Sequence, residues 1–146
     1  PTYHVHYAEV EVDPVSGNVH VTRYVVAQDV GRVINSACVR GQIQGAVAQS
    51  IGLSLYESMR FAEDGNIIEA NLQFYRLPLA VDIPRVEYVT MEQENSEGPF
   101  GAKGSGEAPV LLPAAVIANA VADAIGKRIT KIPITPEDVL QALADT

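Results

Sequence analysis

The feature that most constrains this 146-residue chain is a predicted helix that contains three glycines. The helix begins after a cap at Asn35 or Ser36 and runs to about Tyr56. Its interior glycines are Gly41, Gly45 and Gly52. Each glycine costs the helix about 1 kcal/mol relative to alanine. Because Gly41 and Gly45 lie four residues apart on one face, we expect another helix, a strand or a ligand to approach that face closely.

A second glycine-rich segment, residues 96–109 from Ser96 to Pro109, contains four glycines and is predicted to be a loop with unusual backbone angles. It does not match a phosphate-binding loop of the Walker type, because Lys103 precedes Gly104 instead of following a G-x-x-x-x-G spacing. It also lacks the third glycine of a dinucleotide-binding fingerprint. The loop presents one carboxylate, Glu107, just before an apolar helix. Glu107 is therefore either a general base in a partly dry site or only a cap of the following helix.

The remaining segments predict an α+β fold with a mostly antiparallel sheet, on which two longer helices and a short C-terminal helix pack. Two strand-like segments flank a turn-forming cluster, which is typical of a β-hairpin. We expect all 146 residues to form a single domain. Strands are predicted at residues 3–12, 19–28, 85–93 and 129–132, and an extended piece at residues 71–76. Helices are predicted at residues 36–56, at residues 114–125 with a cap at Gly126, and from a cap at Thr135 onward.

Composition and charge count against several classes of function. Ten Lys and Arg against eighteen Asp and Glu give a net charge of −8. This balance argues against nucleic acid and against an anionic membrane surface as partners. No uninterrupted apolar run approaches the roughly 20 residues of a membrane span. The single cysteine, Cys38, cannot form an internal disulfide, which favours a reducing compartment, most simply the cytoplasm.

Other polar residues have ordinary structural explanations. His4 and His6 share one strand face, but no third ligand accompanies them, so no metal site is predicted. Cys38 has no histidine partner in a motif and is predicted to be a small buried apolar residue. By local reasoning alone, the glutamines of the glycine-bearing helix face solvent: Gln42, Gln44 and Gln49.

The order of the motifs resembles a known enzyme family. They read D-V-G-R-V-I-N at residues 29–35, G-Q-I-Q-G at 41–45, Q-S-I-G at 49–52, G-P-F-G-A-K-G-S-G-E at 98–107 and I-P-I-T-P at 132–136. Together they resemble the C-terminal part of the molybdopterin-binding subunit of the xanthine dehydrogenase/aldehyde oxidoreductase/carbon monoxide dehydrogenase family. The resemblance extends over essentially the whole chain.

This resemblance implies specific site residues. Glu107 matches the family's catalytic glutamate beside the molybdenum. Gln49 matches a glutamine that contacts the pterin, although Ser50 stands where the family usually has glycine. The loop residues implied to lie near the cofactor are Gly104, Ser105 and Gly106.

The same resemblance implies an activity and a set of partners. The activity is oxidation of a carbon in an N-heterocycle or an aldehyde with water-derived oxygen, with Glu107 accepting a proton. The cofactor is molybdopterin, shared with other segments of the subunit. The partners are a larger molybdopterin-binding chain, electron-transfer subunits that carry iron–sulfur clusters, and a small-molecule substrate. FAD in a partner subunit is a further candidate, and one cysteine cannot ligate a cluster by itself.

Two other functions stay open at this point, as does the origin of the chain. Since upstream segments of the family's subunit are missing and the chain begins with Pro1, we expect a split subunit, a processed product or an excised domain that is catalytically incomplete alone. One alternative function is a non-catalytic cofactor-binding or assembly module of the same fold. The other is a phosphate- or nucleotide-binding domain that uses the glycine loop, against which the acidic charge and the motif spacing count.

Overall fold

The computed structural model describes residues 1–93 and 97–145. Within them, a three-stranded sheet of order β1-β2-β3 consists of His4–Val12 (β1), Val19–Asp29 (β2) and Val86–Met91 (β3). The α-helices are Ser36–Leu55 (α1), Pro113–Ile125 (α2) and Pro136–Ala144 (α3). β1 and β2 form the predicted antiparallel hairpin, whereas β3 runs parallel to β2. The α+β prediction is therefore confirmed, and the sheet combines one antiparallel and one parallel strand pair.

Local chemistry explains where the helices begin and end. The Oδ1 atom of Asn35 accepts a hydrogen bond from the backbone N–H of Cys38 at 3.0 Å and so caps α1. α2 ends at Gly126, whose φ of 71° lies in the left-handed region. Thr135 and Asp138 form a reciprocal capping box at the start of α3. These caps confirm three of the predicted helix boundaries.

One face of the sheet and the helices α1 and α2 enclose the core. On β2 the buried side chains change parity between Val21 and Tyr24, because a register shift opposite Glu9 and Val10 inserts an extra residue. The opposing helices contribute the fully buried Ile43, Val47 and Ile51 of α1 and Ile117 and Val121 of α2. The register shift lets both halves of β2 direct apolar side chains toward the same helices.

Two predicted extended segments are not strands. Residues 71–76 form turns, in which the backbone N–H of Tyr75 donates to the carbonyl oxygen of Asn71. Residues 129–132 are irregular, and the backbone N–H of the nearby Ile134 donates to the carbonyl oxygen of Ser54 at 2.8 Å. A strand needs a neighbouring strand for its backbone groups. Residues 71–76 take backbone partners within a turn, and residues 129–132 pair with no strand of the described chain, so the sequence of both regions was misleading.

One 18-residue stretch of the described chain, Ala108–Ile125, is long and apolar enough to cross a membrane by length and composition alone. It consists of a short 3-10 turn at Ala108–Val110 followed, after two residues, by α2. α2 packs against β1 and α1 and buries Ile117 and Val121. One side of α2 therefore packs into the core, whereas 22% of the whole stretch is buried in this chain.

The connection between α1 and β3 leaves much apolar surface exposed. We call residues 59–82 the apolar arm; its longest regular element is the three-residue 3-10 turn Ala80–Asp82. Its most exposed large apolar side chains are Met59, Phe61, Leu72, Phe74, Leu79 and Val81. Exposed apolar patches of this kind mark surfaces that bind other polypeptide or ligands. We therefore expect further polypeptide to cover the arm.

Candidate functional site

An open groove runs between the exposed face of α1 and the glycine-rich loop. One part of it has a volume of about 500 Å³ and contains both Gln49 and Glu107. Its other lining residues are Gln42, Gly45, Ala46, Gly106, Val110 and Leu111. The fold therefore brings together two of the predicted site residues that lie far apart in the sequence.

A second part of the groove, of about 320 Å³, lies toward the N-terminus of α1. Gln42 and Gly106 line both parts, so we treat them as one α1 groove. The second part also contains Ser105, Arg32 and Cys38. Cys38 is exposed, so the prediction that it is buried is wrong: it lies in the first turn of α1, on the side that faces the groove rather than the core.

The glycines of α1 have two different environments. A Cβ on Gly52 would lie 1.9 Å from Oε1 of Glu57 and 2.9 Å from Cδ of Pro78, so the chain itself crosses the helix closely there. A Cβ on Gly41 or Gly45 would meet no atom of the described residues within 4 Å. A close approach is thus present at Gly52, where none was specifically predicted. At Gly41 and Gly45 it stays a prediction that concerns a partner or a ligand.

The glycine-rich loop has the unusual backbone predicted for it. Phe100 and Gly101 have φ values of 55° and 79°, in the left-handed region. The predicted loop began at Ser96, which lies outside the described residues. From residue 97 onward the loop contains short 3-10 turns at Pro99–Gly101 and Ala108–Val110.

A buried ion pair joins this loop to the end of β2. Asp29 is fully buried, its Oδ2 atom pairs with the ammonium of Lys103, and its Oδ1 atom accepts a hydrogen bond from the backbone N–H of Gly31 at 2.9 Å. The hydrogen bond from Lys103 lowers the pKa of the Asp29 carboxyl, and the bond from Gly31 acts in the same direction. Sequence reasoning missed this pair. The available signal was an acidic residue two positions before Gly31 and a lysine inside a glycine-rich loop.

The engagement of Lys103 also bears on the nucleotide-binding alternative. A lysine in a phosphate-binding loop must present its ammonium to the ligand. Here Asp29 holds the ammonium of Lys103, whose side chain is 14% exposed. The loop therefore lacks the free cation on which that alternative depends.

Glu107 is exposed in the α1 groove. Its side chain makes no capping hydrogen bond to the 3-10 turn that follows, and α2 begins only at Pro113. In residues 1–93 and 97–145 its carboxylate has no hydrogen-bond or ion-pair partner, and the backbone N–H groups of residues 104–107 donate to no acceptor. The explanation of Glu107 as a helix cap is thus unsupported. The loop offers the groove one carboxylate and a run of unused N–H donors.

The other predicted site residues divide between two locations. Ser105 and Gly106 line the α1 groove, whereas Gly104 lines a separate depression near the N-terminus, where its carbonyl oxygen accepts a hydrogen bond from the Thr2 hydroxyl at 3.2 Å. Ser50 is fully buried and does not line the groove, but its hydroxyl donates a long hydrogen bond of 3.5 Å to the carbonyl oxygen of the groove residue Val110. Gln42 is exposed, as local sequence reasoning predicted, and it also lines the groove.

The histidine pair lies in the sheet, away from the groove. The Nδ1 atom of His6 is 3.0 Å from the hydroxyl of Tyr24, and His4 lies at its other ring nitrogen. Burial, assisted by the charge of His4, lowers the pKa of His6 to about 4, so the ring is neutral at pH 7. In the described part of the chain no group of three or more His, Cys, Asp or Glu side chains is placed to hold a metal ion.

The arrangement suits a flat, polar ligand. Pockets that bind small molecules commonly have volumes of about 300–1,000 Å³ and a few well-placed polar groups. Here the polar groups are the amides of Gln42 and Gln49, the carboxylate of Glu107 and the backbone of residues 105–107, whose N–H groups have no acceptor in the described chain. Amides and N–H groups fix a ligand in orientation, and a carboxylate without a cationic partner is able to accept a proton.

Comparisons with known proteins agree on one family. Residues 1–84 match the family model described as molybdopterin cofactor-binding domain. The chain is 40% identical to 6-hydroxypseudooxynicotine dehydrogenase complex subunit gamma of Paenarthrobacter nicotinovorans, over 94% of this chain and 18% of that protein. It is 38% identical to aldehyde oxidoreductase of Megalodesulfovibrio gigas, over 97% of this chain and 15% of that protein.

A solved structure shows the same fold within a larger molecule. The crystal structure of quinoline 2-oxidoreductase from Pseudomonas putida 86 superposes with a TM-score of 0.91 at 32% sequence identity. The match covers 96% of this chain and 18% of that chain. The chain thus spans less than a fifth of the length of each of these relatives.

Proposed function

Because this chain belongs to the molybdopterin cofactor-binding domain family, as a fragment of the molybdopterin-binding subunit of xanthine dehydrogenase-type enzymes, we propose that its α1 groove forms one wall of a molybdenum-cofactor site. In this proposal, the chain folds as a single domain and is the C-terminal segment of a larger or split subunit. Glu107 is its catalytic base. The observation that carries the proposal is the presence of Glu107 and Gln49 in one groove.

The residues of the groove fit a pterin. A pterin presents ring nitrogens and a carbonyl group, which need hydrogen-bond donors and acceptors along their edges. The amides of Gln42 and Gln49, together with the N–H groups of residues 105–107 that have no acceptor in the described chain, supply both kinds. The open space at Gly41 and Gly45 lets a flat ring lie close to the helix backbone. In this proposal Ser105 and Gly106 contact the cofactor directly. Gly104 acts only through the backbone of the loop.

Glu107 supplies the proton acceptor. When bound, the molybdenum cofactor supplies the two-electron redox chemistry by which a substrate carbon gains oxygen from water. Hydroxylation of this kind releases a proton, and the Glu107 carboxylate stands in the groove with no cation paired to it in the described chain. A general base must come within about 3 Å of the proton it removes, directly or through one water. The exposure of Glu107 in the groove, just before the 3-10 turn at Ala108–Val110, supports this role.

The relatives suggest the substrate class and the partners. Their names refer to a pseudooxynicotine, an aldehyde and quinoline. We accordingly propose an N-heterocycle or an aldehyde as substrate. Electrons leave through partner subunits that carry iron–sulfur clusters, with FAD as a further candidate, because the one cysteine here cannot hold a cluster. A reducing compartment, the cytoplasm, suits such an assembly.

The decisive experiment is Glu107→Gln in the assembled enzyme. The substitution keeps the shape of the side chain and removes its basicity. We expect unchanged molybdenum content and at least a roughly hundredfold slower anaerobic reduction of the metal by substrate, because general-base assistance is worth about two to four orders of magnitude. Glu137→Gln, at an exposed glutamate of α3 outside the groove and the apolar arm, is the matched control and should react at the wild-type rate.

Two outcomes would redirect the proposal. A Glu107→Gln enzyme with full cofactor and a near-normal reduction rate would remove Glu107 from catalysis. A wild-type assembly that holds molybdenum but is reduced neither by N-heterocycles nor by aldehydes would favour the alternative, a non-catalytic cofactor-binding or assembly module. Spectroscopic measurement of metal reduction and metal analysis of the same sample separate the two.

A further inference from the structure

We infer that the buried Asp29–Lys103 ion pair positions Glu107, by fastening the glycine-rich loop to the end of β2 and so setting where the carboxylate lies in the α1 groove. The inference rests on the proposed role of Glu107. It assigns the pair a function beyond burial and stability. Asp29 and Lys103 are positioning residues here, since neither of them lies in the part of the groove that contains Glu107.

The ion pair is close to Glu107 along the chain and firmly held. Lys103 lies four residues before Glu107. Asp29 is fully buried, so its carboxylate must stay paired with Lys103 to avoid an uncompensated charge in the core. Its second oxygen is held by the backbone N–H of Gly31. The carboxylate therefore has little freedom, and neither does the ammonium bound to it.

The backbone around the pair strengthens the attachment. The N–H of Lys103 donates to the carbonyl oxygen of Val30 at 2.9 Å, and the N–H of Arg32 donates to the carbonyl oxygen of Gly101 at 2.8 Å. Gly31 has a φ of 58°, and a Cβ there would lie 2.3 Å from the carbonyl oxygen of Gly101. The two segments thus approach as closely as a glycine allows, with side-chain and backbone contacts acting together.

Beyond Lys103 the loop has few attachments of its own. In the described chain the N–H groups of residues 104–107 have no acceptor. The carbonyl oxygen of Gly104 accepts an exposed 3.2 Å hydrogen bond from the Thr2 hydroxyl, and the next contact is the 3-10 turn, where the N–H of Val110 donates to the carbonyl oxygen of Glu107 at 3.1 Å. The segment that carries Glu107 is therefore held mainly at its two ends, by Lys103 and by this turn. Loss of the pair at Lys103 would free one end of the segment that carries the base.

Substitutions that remove one charge or both separate positioning from simple charge burial. Lys103→Met leaves the buried Asp29 carboxylate without its cation, and Asp29→Asn leaves a partly buried ammonium. The double variant Asp29→Asn/Lys103→Met removes both uncompensated charges but does not restore the attachment. We expect its thermal midpoint to recover from that of Lys103→Met toward the wild-type value.

The experiment uses the assembled enzyme and three measurements: hydrogen–deuterium exchange of the peptides that cover residues 29–35 and 98–112, molybdenum content, and the substrate dependence of metal reduction. For Asp29→Asn and for the double variant we expect at least tenfold faster exchange of the Arg32 and Lys103 amides and at least a tenfold lower limiting rate. The substrate concentration that gives half the limiting rate should stay within twofold of the wild-type value. The molybdenum content should also stay within twofold. Lys131→Met, which breaks the exposed Lys131–Asp138 pair, is the matched control and should change none of these.

The outcomes are distinct. The positioning role would be overturned if the double variant recovered its limiting rate as well as its stability. It would also be overturned if the amides of Asp29→Asn exchanged at the wild-type rate. If the double variant does not assemble, Asp29→Asn alone decides by the same exchange and rate measurements, because it is isosteric. A near-normal rate in Glu107→Gln would overturn the proposed function instead. A slow Glu107→Gln enzyme combined with a normal Asp29→Asn enzyme would overturn only the positioning role.

Discussion

At the scale of single residues, four glutamines illustrate how surroundings rather than residue type determine a role. Gln42 and Gln49 line the α1 groove, while Gln44 is exposed on the same helix and lies outside it. Gln28 is fully buried in β2, and neither atom of its amide has a partner in the described chain. An unsatisfied buried polar group costs about 1–3 kcal/mol, and nothing in the structure explains why Gln28 is retained.

The comparison between Gln49 and Gln44 provides a residue-scale prediction. If the amide of Gln49 binds the pterin, Gln49→Ala removes a hydrogen bond worth about 1 kcal/mol and weakens cofactor retention about fivefold. The fold should be unaffected because Gln49 is exposed in this chain. Molybdenum content after dialysis of the assembled enzyme measures the effect. Gln44→Ala should retain the metal as the wild type does. Equal retention in both variants would show that Gln49 faces solvent and does not bind the cofactor.

At the scale of the element, α1 combines two uses of glycine in one 20-residue helix. Near its C-terminus Gly52 makes room for Glu57 and Pro78, and Glu57 in turn accepts a hydrogen bond from the hydroxyl of Tyr75 at 2.7 Å. Near its middle Gly41 and Gly45 leave the helix surface bare. The first use serves packing within the chain. The second has a cost in helix stability that no contact of the described chain offsets.

The two uses predict opposite effects of alanine on the stability of the 146-residue chain. Gly45→Ala should raise the free energy of unfolding by about 1 kcal/mol, because alanine favours the helix and its Cβ meets open space. Gly52→Ala should lower it, since the added Cβ would overlap Glu57 and Pro78. Urea unfolding followed by circular dichroism measures both.

In the assembled enzyme Gly45→Ala is expected to be harmful rather than stabilising, and this is the sharper test. A Cβ at this position occupies the surface on which the cofactor or a partner is proposed to lie, so Gly45→Ala should reduce molybdenum content. Gain of stability in the isolated chain with undiminished molybdenum in the assembly would show that nothing approaches Gly45 closely.

At the scale of the whole molecule, the chain has a core but leaves extensive apolar surface uncovered. The apolar arm and the outer face of the sheet, where Val5, Tyr7, Val89 and Met91 are exposed, both lie outside that core. The relatives carry the same fold within chains more than five times longer. Further polypeptide of a molybdopterin-binding subunit is therefore the expected cover for these surfaces.

Coexpression tests this expectation. When the chain is coexpressed with a polypeptide that supplies the rest of the subunit, we expect the two to elute together in gel filtration, with molybdenum in the shared peak. Phe61→Ser/Phe74→Ser in the apolar arm should reduce the shared peak, because each exposed aromatic ring adds contact area to an interface. Val15→Ser, in the exposed hairpin turn, should leave it unchanged. Separate elution of the wild-type chains would contradict the prediction.

How much was predictable from the sequence depends on the range of the interaction involved. The cap of α1 at Asn35, the left-handed Gly126 and the capping box at Thr135 join residues at most four positions apart, so the sequence by itself determined these boundaries. The hairpin of β1 and β2 was equally accessible, because a turn cluster separates two short strand-like runs.

Only the tertiary structure decided the remaining features. Residues 129–132 have strand-like composition but no neighbouring strand to pair with, and β3 pairs with β2 in parallel across a long connection. The pairing of Asp29 with Lys103 and the meeting of Gln49 with Glu107 in one groove join residues more than fifty positions apart. Such contacts form only when the burial of apolar side chains brings distant segments together. The buried Asp29 carboxylate then needs a cation, because an unpaired charge in the core is strongly destabilising.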